Sequence, residues 1–158
     1  MKHFVNLKDI SSKDLRKILS DAKKRKKKRN SLNTLETDKG SPLKGKLLLQ
    51  MFEKSSLRTR MSFYLAIKQL GGGTLTLRAN ELHLGSGGET LEDTAKILST
   101  YGDGVMLRTD KDKKLENFKK FLKIPLINGL SPSSHPTQVL SDIFTVEEIK
   151  KRPISKMN

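Results

Sequence analysis

The chain has 158 residues, with 32 Lys and Arg against 17 Asp and Glu for a formal net charge of +15, and its length suits one domain or two very small ones. The lack of cysteine excludes a disulfide framework, a thiolate metal site and a cysteine nucleophile, and three histidines never paired at helical spacing argue against zinc, so no metal is expected. No apolar run approaches the roughly 18–20 residues that span a bilayer, and the amino terminus has no apolar signal core, so a soluble cytoplasmic protein without membrane partners is expected.

In chain order, Ser11 or Ser12 can cap a first helix with Asp14 in its first turn. Leu15, Ile18, Leu19 and Ala22 give that helix one apolar stripe. It ends in seven consecutive cations, Lys23 to Arg29. Such a run can bind nucleic acid or an acidic surface, or serve as a nuclear localisation patch. No aromatic is interleaved to stack on bases, and cations suit a helix C-terminus, so a solvated helix end is the expectation and nucleic acid is not.

Asn30 to Leu43 reads as a loop, and Lys46 to Phe52 as a strand buried on both faces. Phe63, Ala66, Ile67 and Leu70 are the expected buried stripe of the next helix, which Gly71 to Gly73 should end. Thr74 to Leu77 is the second strand, and Ala79 to Glu89 a glycine-rich loop. Thr90 to Tyr101 is helical, with Leu91, Thr94, Ala95 and Leu98 on one face. Val105 to Leu107 is a strand, Lys113 to Leu122 a helix, and Leu126 to Asn128 a strand. Pro136 then opens a helix through about Ile149. Repeated strand–loop–helix units with right-handed crossovers predict an α/β fold, a parallel sheet flanked by helices on both faces.

Ligands of such sheets sit beyond the carboxyl ends of the strands, which singles out three loops. In the first, Ser56, Arg58 and Thr59 stand at a helix N-terminus, where free N–H groups and the helix dipole favour an anion. An ordinary helix cap is the plainer reading, and the loop is neither a Walker loop nor a Rossmann fingerprint. In the second, Arg108 follows a strand directly. In the third, His135, Pro136, Thr137 and Gln138 open the last helix, where an imidazole and a carboxamide can polarise a carbonyl. Together these residues suit a small phosphorylated compound and developing negative charge.

The segment Phe52-Glu53-Lys54-Ser55-Ser56-Leu57-Arg58-Thr59-Arg60-Met61-Ser62-Phe63 resembles the carbamoyl-phosphate loop of the transcarbamylases, F-E-K-x-S-T-R-T-R-x-S-F. Gly88 to Ala95 is similar to their G-E-[ST]-x-x-D-T-A segment. Asn128-Gly129-Leu130 and His135-Pro136-Thr137-Gln138 are similar to their N-G-L and H-P-x-Q. Glu53-Lys54 before the serines points to the ornithine carbamoyltransferase branch; relatives acting on acylated ornithine or on aspartate stay open as alternatives.

The resemblance implies that Ser56, Arg58 and Thr59, with backbone N–H groups around Leu57, bind the phosphate of carbamoyl phosphate. It further implies that Arg108 bridges phosphate and carbonyl oxygen, His135 donates to that oxygen, and Gln138 holds the carbamoyl NH₂. Pro136 and Thr137 belong to the same substrate loop, His83 stands where ornithine enzymes usually carry Gln, and Arg60 should brace its loop through an internal ion pair. Catalysis by orientation and preorganised charge needs no cofactor. Leu57 replaces the usual Thr and removes one hydroxyl donor to the phosphate, a loss of about 1.5–3 kcal/mol, so weaker binding with the backbone N–H retained is expected.

The expected organisation is a carbamoyl-phosphate domain over residues 1–150 and the start of an interdomain connection over 151–158. The second, ornithine-binding domain is expected to be absent, as in a truncated enzyme inactive by itself. In the family this half makes the trimer contacts, so a homotrimer or other self-association is expected. A non-catalytic interaction module is the alternative.

Overall fold

The computed structural model describes residues 3–78 and 90–157. Four parallel strands form one sheet in the order β2-β1-β3-β4, with β1 at Leu47–Phe52, β2 at Gly73–Arg78, β3 at Gly104–Arg108 and β4 at Leu126–Leu130. Among the described residues five α-helices accompany them: α1 (Ser12–Lys28), α2 (Leu57–Gln69), α3 (Leu91–Tyr101), α4 (Asp112–Phe121) and α5 (Pro136–Lys150).

The alternating side chains of β1 show why helices cover both faces. Leu49 and Met51 pack with Ala95 and Leu98 of α3 and Leu115 and Phe118 of α4. Leu48 and Phe52 point the other way, onto Phe63 and Ile67 of α2. From β1 the chain crosses to β2, whereas from β3 it crosses to β4 on the opposite side. The connections therefore diverge between β1 and β3, and a crevice opens at their carboxyl ends.

Pairing of β3 with β4 slips at its end: Leu107 faces Asn128, but Arg108 faces Leu130. Gly129 is the extra residue of this bulge, and a Cβ there would lie 2.3 Å from Met106 Sδ. The bulge turns the end of β3 and with it the aim of Arg108.

Several expectations change. Gly73 opens β2 instead of ending α2, while Gly71, at φ +86°, takes the left-handed conformation just past the helix. The stripe of α1 is only partly covered: Leu19 is buried, but Ile18 is 42% exposed and Ala22 is exposed. The cation run is more than a solvated end. Arg25 and Arg29 both grip Asp38, at 2.9 and 2.6 Å, and Lys26 reaches Glu148 of α5 at 2.6 Å. Burial opposes the charge of Asp38, yet the hydrogen bonds from Arg29 and Arg25 hold its pKa below the usual value. The amino terminus also joins the sheet. Phe4 bridges Ile127 in parallel, Val5 is buried in the core, and the Leu126 N–H donates to His3 Nδ1 at 3.1 Å.

Candidate functional site

The three loops singled out by sequence meet at the divergence point. Ser56, Arg58 and Thr59 line an open crevice of about 930 Å³ together with Arg108, His135, Thr137 and Gln138. Its apolar wall includes Phe63 and Ala66 of α2, so part of that helix's apolar stripe faces the crevice.

Ser56 is the N-cap of α2, extended at φ −156° and ψ 110°, and its Oγ accepts from the Thr59 N–H at 3.3 Å. The same hydroxyl donates to Thr59 Oγ1 at 3.0 Å, and Arg108 Nη1 donates to that oxygen at 3.2 Å. Both acceptor positions of the Thr59 hydroxyl are thereby used, which leaves its own proton for an incoming acceptor. The N–H groups of Leu57 and Arg58 belong to the first turn, where a helix offers them no acceptor. Arg58 is exposed at the crevice wall. Arg108 Nε is buried and has no hydrogen-bond partner among the described residues.

At the third loop, Pro136 is buried at the start of α5, and its ring sets the turn without lining the crevice. His135 Nδ1 lies 3.3 Å from Thr137 Oγ1. Burial and then the charge of Arg108 hold the His135 pKa below the ordinary histidine value, which favours the neutral ring. Gln138 Nε2 donates to Asp142 at 2.8 Å, and its carbonyl oxygen takes no donor among the described residues.

One expectation is redirected. Leu57 is 68% exposed, and its side chain lines a neighbouring hollow with Phe52, Arg60, Thr76 and Arg78 instead of the crevice. Only its backbone N–H can serve the anion, so the Thr-to-Leu difference falls outside the crevice wall. Arg60 makes no ion pair among the described residues, and the carboxylates of residues 79–89 that could pair with it lie outside them. His83 and the Gly88-Glu89 half of the second motif lie outside the described residues.

Sequence reasoning missed the groups that join the loops. The Glu53 carboxylate accepts from Thr109 Oγ1 and Lys114 Nζ, and the Glu53 N–H donates to the Arg108 carbonyl at 3.0 Å. Asp112 accepts from the Ser133 hydroxyl at 2.8 Å and its N–H at 3.3 Å, fastening α4 to the loop that delivers His135. Asn128, fully buried, donates through Nδ2 to the carbonyls of Val5 and Ser134, both at 3.2 Å, and to Ser131 Oγ at 3.1 Å. Apart from Ser131 and Ser134, which follow Asn128 closely, these partners come from separate elements, and local spacing carries no signal of them.

Fold and site define a class: an open parallel α/β domain that gathers cations, hydroxyls and helix-terminal amides at its topological switch point, built for a small anion. The chain belongs to the aspartate/ornithine carbamoyltransferase family, whose carbamoyl-P binding domain matches residues 2–148. It is 42% identical over 149 residues to the ornithine carbamoyltransferase of Rhizorhabdus wittichii, covering 94% of this chain and 48% of that protein. With the ornithine carbamoyltransferase of Agrobacterium fabrum it shares 45% identity over 147 residues, covering 93% and 46%. Among solved structures, the anabolic ornithine carbamoyltransferase of Campylobacter jejuni superposes with a TM-score of 0.81 at 42% identity, covering 96% of this chain and 47% of that one. The Pyrococcus furiosus ornithine carbamoyltransferase gives a TM-score of 0.87 at 39% identity, covering 95% and 46%. The chain thus spans about half the length of the curated relatives it matches. Among the described residues no helix is long and apolar enough to cross a membrane.

Proposed function

We propose that this chain is the carbamoyl-phosphate-binding half of an ornithine carbamoyltransferase. The reaction moves the carbamoyl group of carbamoyl phosphate to the δ-amine of ornithine, giving citrulline and phosphate. One observation carries the reading: Arg58, Arg108 and His135 come from three loops and line one crevice, with Arg108 bonded to the hydroxyl of Thr59 at the helix N-terminus.

On this reading the phosphate sits on the first turn of α2. It takes the free amides of Leu57 and Arg58, the Thr59 hydroxyl proton and a two-pronged contact from Arg58. The unpaired Arg108 Nε–H supplies a further donor where phosphate and carbonyl meet. When Thr137 donates to Nδ1, the proton of neutral His135 resides on Nε2 and points to the carbonyl oxygen. Gln138 offers its carbonyl to the carbamoyl NH₂. Attack by the amine forms the new C–N bond and a tetrahedral oxyanion, which Arg108 and His135 stabilise. Its collapse breaks the C–O bond, and the phosphate leaves onto α2 carrying the proton that the attacking nitrogen sheds.

The acceptor amino acid belongs, on this reading, to the half of the relatives that the chain does not match. Affinity for the donor is therefore the property to measure. Calorimetry with carbamoyl phosphate should detect binding that Arg58→Ala weakens roughly tenfold or more, the loss of a charge-assisted contact. Equal binding by both proteins overturns the assignment. A cytoplasmic location and a homotrimer complete the proposal; sedimentation of the chain as a strict monomer overturns the latter.

A further inference from the structure

We propose that Glu53 is a positioning residue of this site: through Thr109 and Lys114 it holds Arg108 at a fixed distance from the first turn of α2. The inference rests on the anion-site reading above and adds a residue to it.

Glu53 stands at the divergence point, one residue past β1 and six before Thr59. Its side chain is 12% exposed and that of Lys114 is 21% exposed, so the pair is largely screened from water. Its carboxylate takes two donors, the Thr109 hydroxyl and the Lys114 ammonium. Its own N–H holds the Arg108 carbonyl at 3.0 Å. Arg108 is thus gripped on both sides of its peptide unit by one residue of the anion loop. Thr109 is 4% exposed, donates its N–H to the Leu130 carbonyl at 3.0 Å, and accepts the Lys111 N–H at 3.2 Å on the hydroxyl that Glu53 holds. Glu53 therefore ties the β1 loop to a segment already anchored on β4 and α4.

The tie acts where anchoring is scarcest. The β3–β4 ladder is interrupted at Arg108 by the bulge, and its side chain reaches Thr59 through a single hydrogen bond of 3.2 Å. The β1–β3 ladder keeps register as far as Phe52 opposite Arg108, and the strands part beyond it. The grip on Thr109 carries that register one residue further, past the point where the two connections diverge. Lys114 has a second effect: it neutralises a carboxylate that would otherwise stand unpaired near the anion loop.

The test uses the full chain with inorganic phosphate as the probe, plus a ligand-free readout. Glu53→Ala should weaken phosphate binding about tenfold. Combined with Arg108→Ala it should cost no more than Arg108→Ala does alone, because both act through one guanidinium. Thr109→Val changes no charge and breaks the same grip. Without ligand it should raise the His135 titration midpoint, followed by NMR, as Arg108 relaxes away from the ring. Unaltered phosphate affinity in Glu53→Ala, where Arg108→Ala does lose affinity, overturns the proposal and leaves the anion site standing. If the wild type binds no phosphate, the anion-site reading fails, and the His135 titration of Thr109→Val still decides whether the grip orients Arg108: an unmoved midpoint overturns it. Should Glu53→Ala fail to fold, Thr109→Val carries both readouts.

Discussion

The two ends of the same four strands are built on opposite terms. At the amino ends, turns are closed by paired groups. Asp103 accepts from the Leu47 N–H at 2.9 Å and from Lys46 Nζ at 2.7 Å, while Gly73 and Val105 donate their N–H groups to the carbonyls of Lys46 and Pro125, both at 2.8 Å. Packing there is tight enough that a Cβ on Gly102 would lie 2.7 Å from two side-chain carbons of Leu49. At the carboxyl ends, donors are left over: a buried Arg108 Nε, the first amides of α2 and an exposed Arg58. Paired groups close the amino ends, whereas at the carboxyl ends unmatched donors stand beside the ties of Glu53, Asp112 and Asn128, so the binding groups and the groups that hold the loops are different side chains.

Substitutions can break or sharpen that contrast. The largest effect should come from Arg58→Ala, which removes most donor affinity while leaving the denaturant midpoint unchanged. Gly102→Ala should do the reverse. Leu49 is 1% exposed and cannot yield, so overpacking should cost about 1–3 kcal/mol in chemical denaturation with phosphate affinity retained. A variant that lost binding and stability together would dissolve the distinction between the ends.

Gln50, midway along β1, comes next in size. It is fully buried, and neither amide atom has a partner among the described residues. Gln50→Met should stabilise the chain by about 1 kcal/mol by removing an unsatisfied polar group, and should leave phosphate affinity alone. A fall in affinity would extend the binding end down to the middle of the strand.

The smallest effect separates two histidines. His135 is at the carboxyl end, and His3 is at the amino end of β4. Burial, with Arg108 for His135 and with Lys119 for His3, lowers both pKa values. The unfolded chain then binds more protons than the folded one. The stabilisation from each neutral ring is full above about pH 6.5 and is lost as pH falls through the window below it. Added sulfate should raise the NMR midpoint of His135 and leave that of His3 in place. Equal movement of both would mean that the anion is not held at the carboxyl end.

The sequence announces what is local. The apolar run before Phe52 gives β1, Ser56 gives the cap of α2, and Leu91, Ala95 and Leu98 give the inner face of α3, because strand and helix periods act over a few residues. The three site loops were legible for the same reason: each joins the end of a strand to the start of a helix. What escaped depends on distant partners. Glu53 finds Thr109 and Lys114 across 56 and 61 positions, and nothing near it in the chain foretells either contact. His3 to Val5 is too short for any period, yet it extends the sheet. The arginines of the cation run were legible in retrospect: the spacing that picks out Leu15, Leu19 and Ala22 continues to Arg25 and Arg29, which places them on the inner face of α1.

The stitching of Phe4 and Val5 onto β4 has a consequence for how the chain is made. The Phe4 N–H donates to the Leu126 carbonyl, and Asn128 holds the Phe4 and Val5 carbonyls, so the two sides of this seam stand 123 positions apart between Val5 and Asn128. A nascent chain therefore cannot close the seam until β4 has been synthesised, and bulk joined directly ahead of His3 would burden that closing step.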